Sequence, residues 1–139
     1  RAAALANDGA SLLTFTFSGA RRVVPSYNVM GVAKAALEAS VKYLAMDLGD
    51  AGIRVNAISS GPMRTLSGAA IGAGRTIYHW ARNNSALGRD LNSDDVADAS
   101  LYLLSDLSRG VTGEIHYVDN GNSIIGISPL QDSGKAEAP

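Results

Sequence analysis

Three short β-branched runs, each pair separated by helical sequence, constrain the fold of this chain more tightly than any single motif. Ser11–Phe17 (SLLTFTF) and residues 53–59 (IRVNAIS) have the length and side chains of buried strands, and residues 114–119 supply a third. Between the first two, Pro25-Ser26 reads as a helix start, and Gly49 and Gly52 as its stop, so a long helix is expected over about 25–48. Val29, Val32, Ala33, Ala36, Leu37, Val41, Leu44 and Leu48 trace its broad apolar face, and Gly31, Ala35, Ala36 and Ala39 leave room for close approach of another backbone. After the second strand come Gly61-Pro62, a glycine- and alanine-rich segment over 65–74 expected to be mobile, and a helix at 75–83. A second helix follows at 95–104, with its cap placed at Ser93-Asp94-Asp95. Strand, helix, strand, helix, strand is the pattern of a parallel sheet covered by helices, an α/β fold.

Three strands are few for such a sheet, and the glycine-rich turn that cradles a dinucleotide pyrophosphate is absent from the sequence. Both gaps, together with a first residue Arg1 and a helix-like Ala2–Leu5, lead us to expect the back half of a longer polypeptide. Residues 1–127 are then expected to form the C-terminal half of one domain, and the polar, Pro-ended 128–139 a disordered tail. Such a segment alone should bind a dinucleotide poorly.

Composition narrows the function classes. Twelve basic and thirteen acidic residues leave a net charge of −1, which gives no electrostatic footprint for nucleic acid or an anionic membrane. No apolar run reaches the ~20 residues of a membrane span. There is no cysteine, hence no disulfide and no thiolate metal site, and His79 and His116 stand in no ligand spacing.

Tyr27 and Lys34 are the chemically suggestive pair. Seven helical steps come within about 20° of two full turns, so both side chains fall on one stripe about 10 Å apart along the axis. A phenol donates a hydrogen bond, and a nearby cation favours its anion. Such a pair suits an oxygen that gains negative charge. Tyrosine and lysine also share a helix face by chance, with the lysine merely solvated, and the pair alone does not decide between these readings.

Several motifs in order carry a resemblance across roughly residues 9–127. They are Ser11–Phe17, Tyr27 with Lys34, Arg54-Val55-Asn56-Ala57-Ile58, Gly61-Pro62, and Gly113-Glu114 followed by Val118-Asp119-Asn120-Gly121. In that order they resemble the C-terminal half of a short-chain dehydrogenase/reductase. The superfamily's usual Tyr-x3-Lys would place the tyrosine at Met30; the Tyr-x6-Lys seen here resembles the enoyl-acyl-carrier-protein reductases of bacterial fatty-acid synthesis. Gly61-Pro62-Met63-Arg64-Thr65-Leu66 and Ser105-Asp106-Leu107 agree with that family as well.

The resemblance implies a Rossmann-like doubly wound parallel sheet and an NADH-dependent reductase, with NADPH as the alternative cofactor. It implies that Tyr27 donates to the thioester carbonyl of the enoyl substrate and that Lys34 holds the nicotinamide ribose. Gly61, Pro62, Met63 and Thr65 would bind the cofactor, with the backbone at Met63, just after Gly61-Pro62, meeting the carboxamide and Thr65 on the phosphate side. Met30 and Ile71 would line the acyl pocket, and 65–74 would form a lid. It also implies an acyl-carrier-protein-linked substrate, a cytoplasmic homotetramer built on the Tyr27 helix, and no metal.

Phe17 stands where the family usually has a second tyrosine, Gly74 replaces a lid aromatic, and Asn120 replaces the commoner glycine. Two alternatives therefore stay open: a ketone or alcohol dehydrogenase of the same superfamily, and a non-catalytic paralogue. Arg21 and Arg22 read as a solvated loop pair, or as a greeting for an acidic carrier. Glu38 and Lys42 read as an exposed i, i+4 pair, and Tyr78 and Trp80 as packing for the helix after the lid.

Overall fold

The computed structural model describes residues 6–7, 9–63 and 74–127. Its centre is a three-stranded parallel sheet in the order β1 (Ser11–Phe17), β2 (Arg54–Ser60), β3 (Ile115–Val118). The register runs from Ser11 opposite Arg54 to Phe17 opposite Ser60, and from Ala57 opposite Ile115 to Ser60 opposite Val118. The helices are α1 (Asn28–Leu48), α2 (Gly74–Asn83) and α3 (Ser93–Leu104). The expected parallel α/β sheet is present, with β1 at its expected bounds and β2 and β3 displaced by one residue at their ends.

Helices cover both faces of β2, so its side chains alternate between two cores. Val55 and Ala57 join Ile53, Ile115 and the α1 residues Val41 and Ala45 on one face. Ile58 turns the other way, to Leu91 and the α3 residues Val96 and Leu103. Two-sided cover explains why residues 55–59 are buried without a break, although Asn56 and Ser59 are polar. α1 stops as expected: Gly52 takes φ +69°, and the Ile53 amide returns to the Leu48 carbonyl at 3.2 Å.

The α3 cap lies one residue earlier than the sequence suggested. Asn92 is extended and accepts from the Asp95 amide, while the Asp95 carboxylate accepts from the Asn92 amide, completing a capping box. Arg89 adds a two-pronged ion pair to Asp95 at 2.8 Å on each prong. That guanidinium, with the Asn92 amide, holds the Asp95 carboxyl at about 2.

Polar side chains on β2 fasten the chain between α3 and β3. Arg54 donates to the carbonyls of Leu103, Ser105 and Val111 and to the Ser108 hydroxyl, all within 3.2 Å. Two of these acceptors are at the C-terminal end of α3, where carbonyls lack helical partners and a cation is favoured. Fully buried Asn56 donates to the Val111 carbonyl and accepts from the Glu114 amide, each at 3.0 Å. Beyond β3, the Asp119 carboxylate accepts from the amides of Gly121 and Ser123. Asn120 sits at φ +57°, which asparagine tolerates better than most residues, and its amide donates to the Arg89 carbonyl. The replaced glycine is thus accommodated and gains a tie.

Asn56→Ala should destabilise the protein by about 2–3 kcal/mol, since it removes both bonds of a buried amide and leaves a cavity. Urea unfolding of the full-length protein checks this, and an unchanged midpoint would contradict the fastening role.

Candidate active site

Ligands of open parallel sheets bind beyond the carboxyl ends of the strands, and the sequence-selected residues gather there. β1 ends at Phe17, a short 3₁₀ turn covers Ser18–Ala20, and the loop continues to Tyr27 at the head of α1. Tyr27 is the N-cap residue of α1, not a residue inside it; its carbonyl accepts from the Met30 and Gly31 amides. Pro25-Ser26 does not start the helix, because Ser26 has φ +65°, and Asn28, just after Tyr27, has φ +28°. The helical phase relation between Tyr27 and Lys34 therefore applies only from Asn28 onward.

What brings the two residues together is β1. The Tyr27 ring meets the Phe17 ring edge-on, with centroids 5.2 Å apart and planes at 62°. Lys34 donates from Nζ to the Phe15 carbonyl at 2.8 Å. The Ala10 carbonyl accepts from Arg54 on β2, so strand alternation turns the Phe15 carbonyl toward the outer edge of the sheet. Two strand residues, about 7 Å, separate the moorings. Burial pushes the Tyr27 phenol above its ordinary value. This is opposite to the direction a cation alone would give, and it keeps the phenol a proton donor.

Two open cavities flank this loop. One, about 410 Å³, is bordered by Tyr27, Gly19, Val24, Gly31 and Val32. The other, about 390 Å³ and mainly apolar, is lined by Phe17, Val23, Pro62, Ile77 and Trp80. Arg22, Val23 and Val24 border both. Tyr27 borders the first and Pro62 the second. Gly61 is buried where β2 approaches β3; a Cβ there would lie 3.0 Å from the Asp119 Cα. The Met63 side chain packs against the core around Ile58 and Leu103. Met30 is half exposed and borders neither cavity. Arg64, Thr65 and Ile71, and the lid expected over 65–74 except Gly74, lie outside the described residues. Trp80, read as helix packing, is half exposed and forms part of the apolar wall. Among the described residues no acidic, histidine or cysteine cluster could hold a metal, and no helix is long and apolar enough to cross a membrane.

The sequence reading missed the charged support beneath the site. Glu38 is buried, not an exposed partner of Lys42; it accepts from the Thr16 hydroxyl at 3.0 Å and from Arg21 Nε at 2.9 Å. That bond raises the Arg21 pKa. Arg22 donates to the carbonyls of Ser123 and Ile125. The loop arginines are therefore committed to the protein itself. A sign was available: Glu38 lies three and seven residues before Val41 and Ala45, on the stripe that packs against the sheet.

The chain matches the family model described as enoyl-(acyl carrier protein) reductase over residues 1–123. It is 58% identical to enoyl-[acyl-carrier-protein] reductase [NADH] 2 of Rhizobium meliloti, over 99% of this chain and 52% of that protein. The structure superposes on the Anaplasma phagocytophilum reductase solved with NAD at a TM-score of 0.85 and 53% identity, covering 93% of this chain and 47% of that one. For the Bacillus cereus enzyme solved with NADP+ and an indole naphthyridinone, the TM-score is 0.87 and the identity 52%, with 91% of this chain and 49% of that one covered. The chain thus spans about half the length of the relatives it matches. With a Rossmann-type parallel sheet and these matches, the chain belongs to the enoyl-(acyl carrier protein) reductase family.

Proposed function

We propose that this chain is the carboxyl half of a nucleotide-binding domain and carries the reaction centre of an NADH-dependent enoyl-[acyl-carrier-protein] reductase, with NADPH as the alternative cofactor. The observation that carries the reading is the mooring of Tyr27 and Lys34 on the last three residues of β1, beside an apolar cleft. The residues present fit a nicotinamide nucleotide. An ammonium has three donors, of which the bond to Phe15 uses one, and that suits sugar hydroxyls. The strand end at Gly61-Pro62-Met63 offers backbone groups to a carboxamide. When bound, the cofactor supplies a hydride for the β-carbon of a trans-2-enoyl thioester.

The chain's own residues handle the charge that follows. Tyr27, a phenol that burial pushes further above its ordinary value, donates a hydrogen bond to the thioester carbonyl oxygen as that oxygen becomes enolate-like. Lys34 orients the sugar and keeps a positive charge beneath the site. Val23, Ile77 and Trp80 offer apolar surface to the acyl chain, and Met30 and Ile71 are assigned to the acyl pocket on the family resemblance alone. Thr65 is assigned to the phosphate side. Phe17 supports the alternative of a non-catalytic paralogue, since its ring packs on Tyr27 but has no hydroxyl to offer the oxyanion.

We assign the carrier-linked substrate to the cytoplasm and the assembly to a homotetramer. The outward side of α1 leaves Val29, Val32, Tyr43 and Met46 between 72% and 83% exposed, an apolar surface suited to a second copy of the helix. Light scattering that found a stable monomer of the full-length protein would remove the assembly.

In full-length protein given NADH and a crotonyl thioester, absorbance of the reduced nicotinamide should fall with time. Tyr27→Phe should lower kcat about 100- to 1000-fold with little change in cofactor KM. Lys34→Met should instead weaken cofactor binding about tenfold or more. Wild-type turnover by Tyr27→Phe would refute its role, and tight NADH binding without turnover by the wild type would favour the paralogue. Phe17→Ala should open the phenol to water and lower its titration midpoint toward the ordinary ~10. Ultraviolet difference titration against Tyr27→Phe reads that change; a midpoint that stayed raised would show that Phe17 does not shield the ring.

A further inference from the structure

We propose that Gly19 is a positioning residue for Tyr27: the space left by its missing side chain is the seat of the phenol ring, and filling that seat lowers turnover. The inference rests on the role given to Tyr27 above.

Gly19 lies in the 3₁₀ turn after β1, outside the left-handed region, so its backbone conformation does not call for glycine. The requirement is spatial. A Cβ at Gly19 would lie 2.5 Å from Cδ1 and 2.7 Å from Cε1 of Tyr27, and 3.4 Å from Cδ1 of Phe17. Side-chain carbons do not approach so closely, and either the ring or the turn must yield.

The turn is held on both sides. Its Gly19 carbonyl is against α1, where a Cβ at Gly31 would come within 2.9 Å of it. Arg21 ties the following loop to buried Glu38, and Arg22 ties it to the Ser123 and Ile125 carbonyls. The backbone of Tyr27 is also constrained, because the two residues flanking it, Ser26 and Asn28, occupy positive φ. The side chain of Tyr27 is the part free to move, and the 410 Å³ cavity beside it is where the ring would go. A methyl at residue 19 should therefore displace the phenol before it disturbs the sheet, and a misplacement of about 1 Å can cost a factor near 100 in rate.

The test uses the full-length enzyme with NADH and crotonyl thioester. Wild-type consumption of NADH comes first, since its absence would defeat the functional reading and not the seat. Given that activity, Gly19→Ala should lose about 10- to 100-fold in kcat. Its cofactor KM and thermal midpoint should stay close to wild type, and its Tyr27 titration midpoint should fall as the ring enters water. Gly110→Ala, at a position where a Cβ meets nothing within 4 Å, should match the wild type. Wild-type kcat in Gly19→Ala overturns the proposal, as does a kcat loss that comes with an equal loss of cofactor affinity and melting temperature. If Gly19→Ala does not fold, Gly31→Ala pushes the same turn from the helix side. It should show the same loss confined to kcat, and unimpaired turnover there overturns the proposal equally.

Discussion

Parallel pairing of β1, β2 and β3 governs the rest of the molecule. A strand paired in parallel with its predecessor cannot be reached by a tight turn, so the chain must cross the sheet between each pair. α1 makes the first crossing and α2 with α3 the second, which buries β2 on both faces and gathers the strand ends at one rim. All the sequence-selected residues that the structure describes lie on that rim or on the helix beginning there. β2 can carry Asn56 in its interior because the returning chain supplies both of that amide's partners.

The candidate site depends on one loop, and the loop depends on charge. Residues 18–26 leave the sheet, touch α1 and deliver Tyr27. Without the Arg21–Glu38–Thr16 arrangement the Glu38 carboxylate carried by α1 would be buried with no compensation, a costly state. Arg22 anchors the far side to the segment after β3. Positive φ at Ser26 and Asn28 is sustained where the chain is held this firmly, and it sets how the phenol leaves the backbone.

Much of the fold was legible because strand and helix sequences differ here in length and in branching. SLLTFTF could form little but a short strand, and its bounds match the structure, but the burial expected of it is not met: β1 lies at the sheet edge with Thr16 buried and Phe15 about half exposed. Helix starts were harder. Pro25-Ser26 has the right chemistry for one, but the loop's tethers force Ser26 out of helical geometry, and Asn92 outcompetes Ser93 because its extended backbone faces the Asp95 amide. Tyr27 and Lys34 could be picked out as a pair, yet their common anchor on β1 could not, since a contact with a strand carbonyl leaves no mark in sequence. Glu38 was misjudged by treating charge as a sign of exposure, when its place on the Val41–Ala45 stripe indicated the opposite.

The bond between Lys34 and Phe15 also links two kinds of completeness. The outer border of β1 presents a carbonyl that would ordinarily accept from the amide of an adjoining strand, and the ammonium occupies it instead. A strand added along that border would offer the same carbonyl its customary amide partner and compete with the ammonium for it. The edge of the sheet and the reach of Lys34 are therefore coupled through one acceptor, and whatever pairs along β1 also sets where that ammonium points.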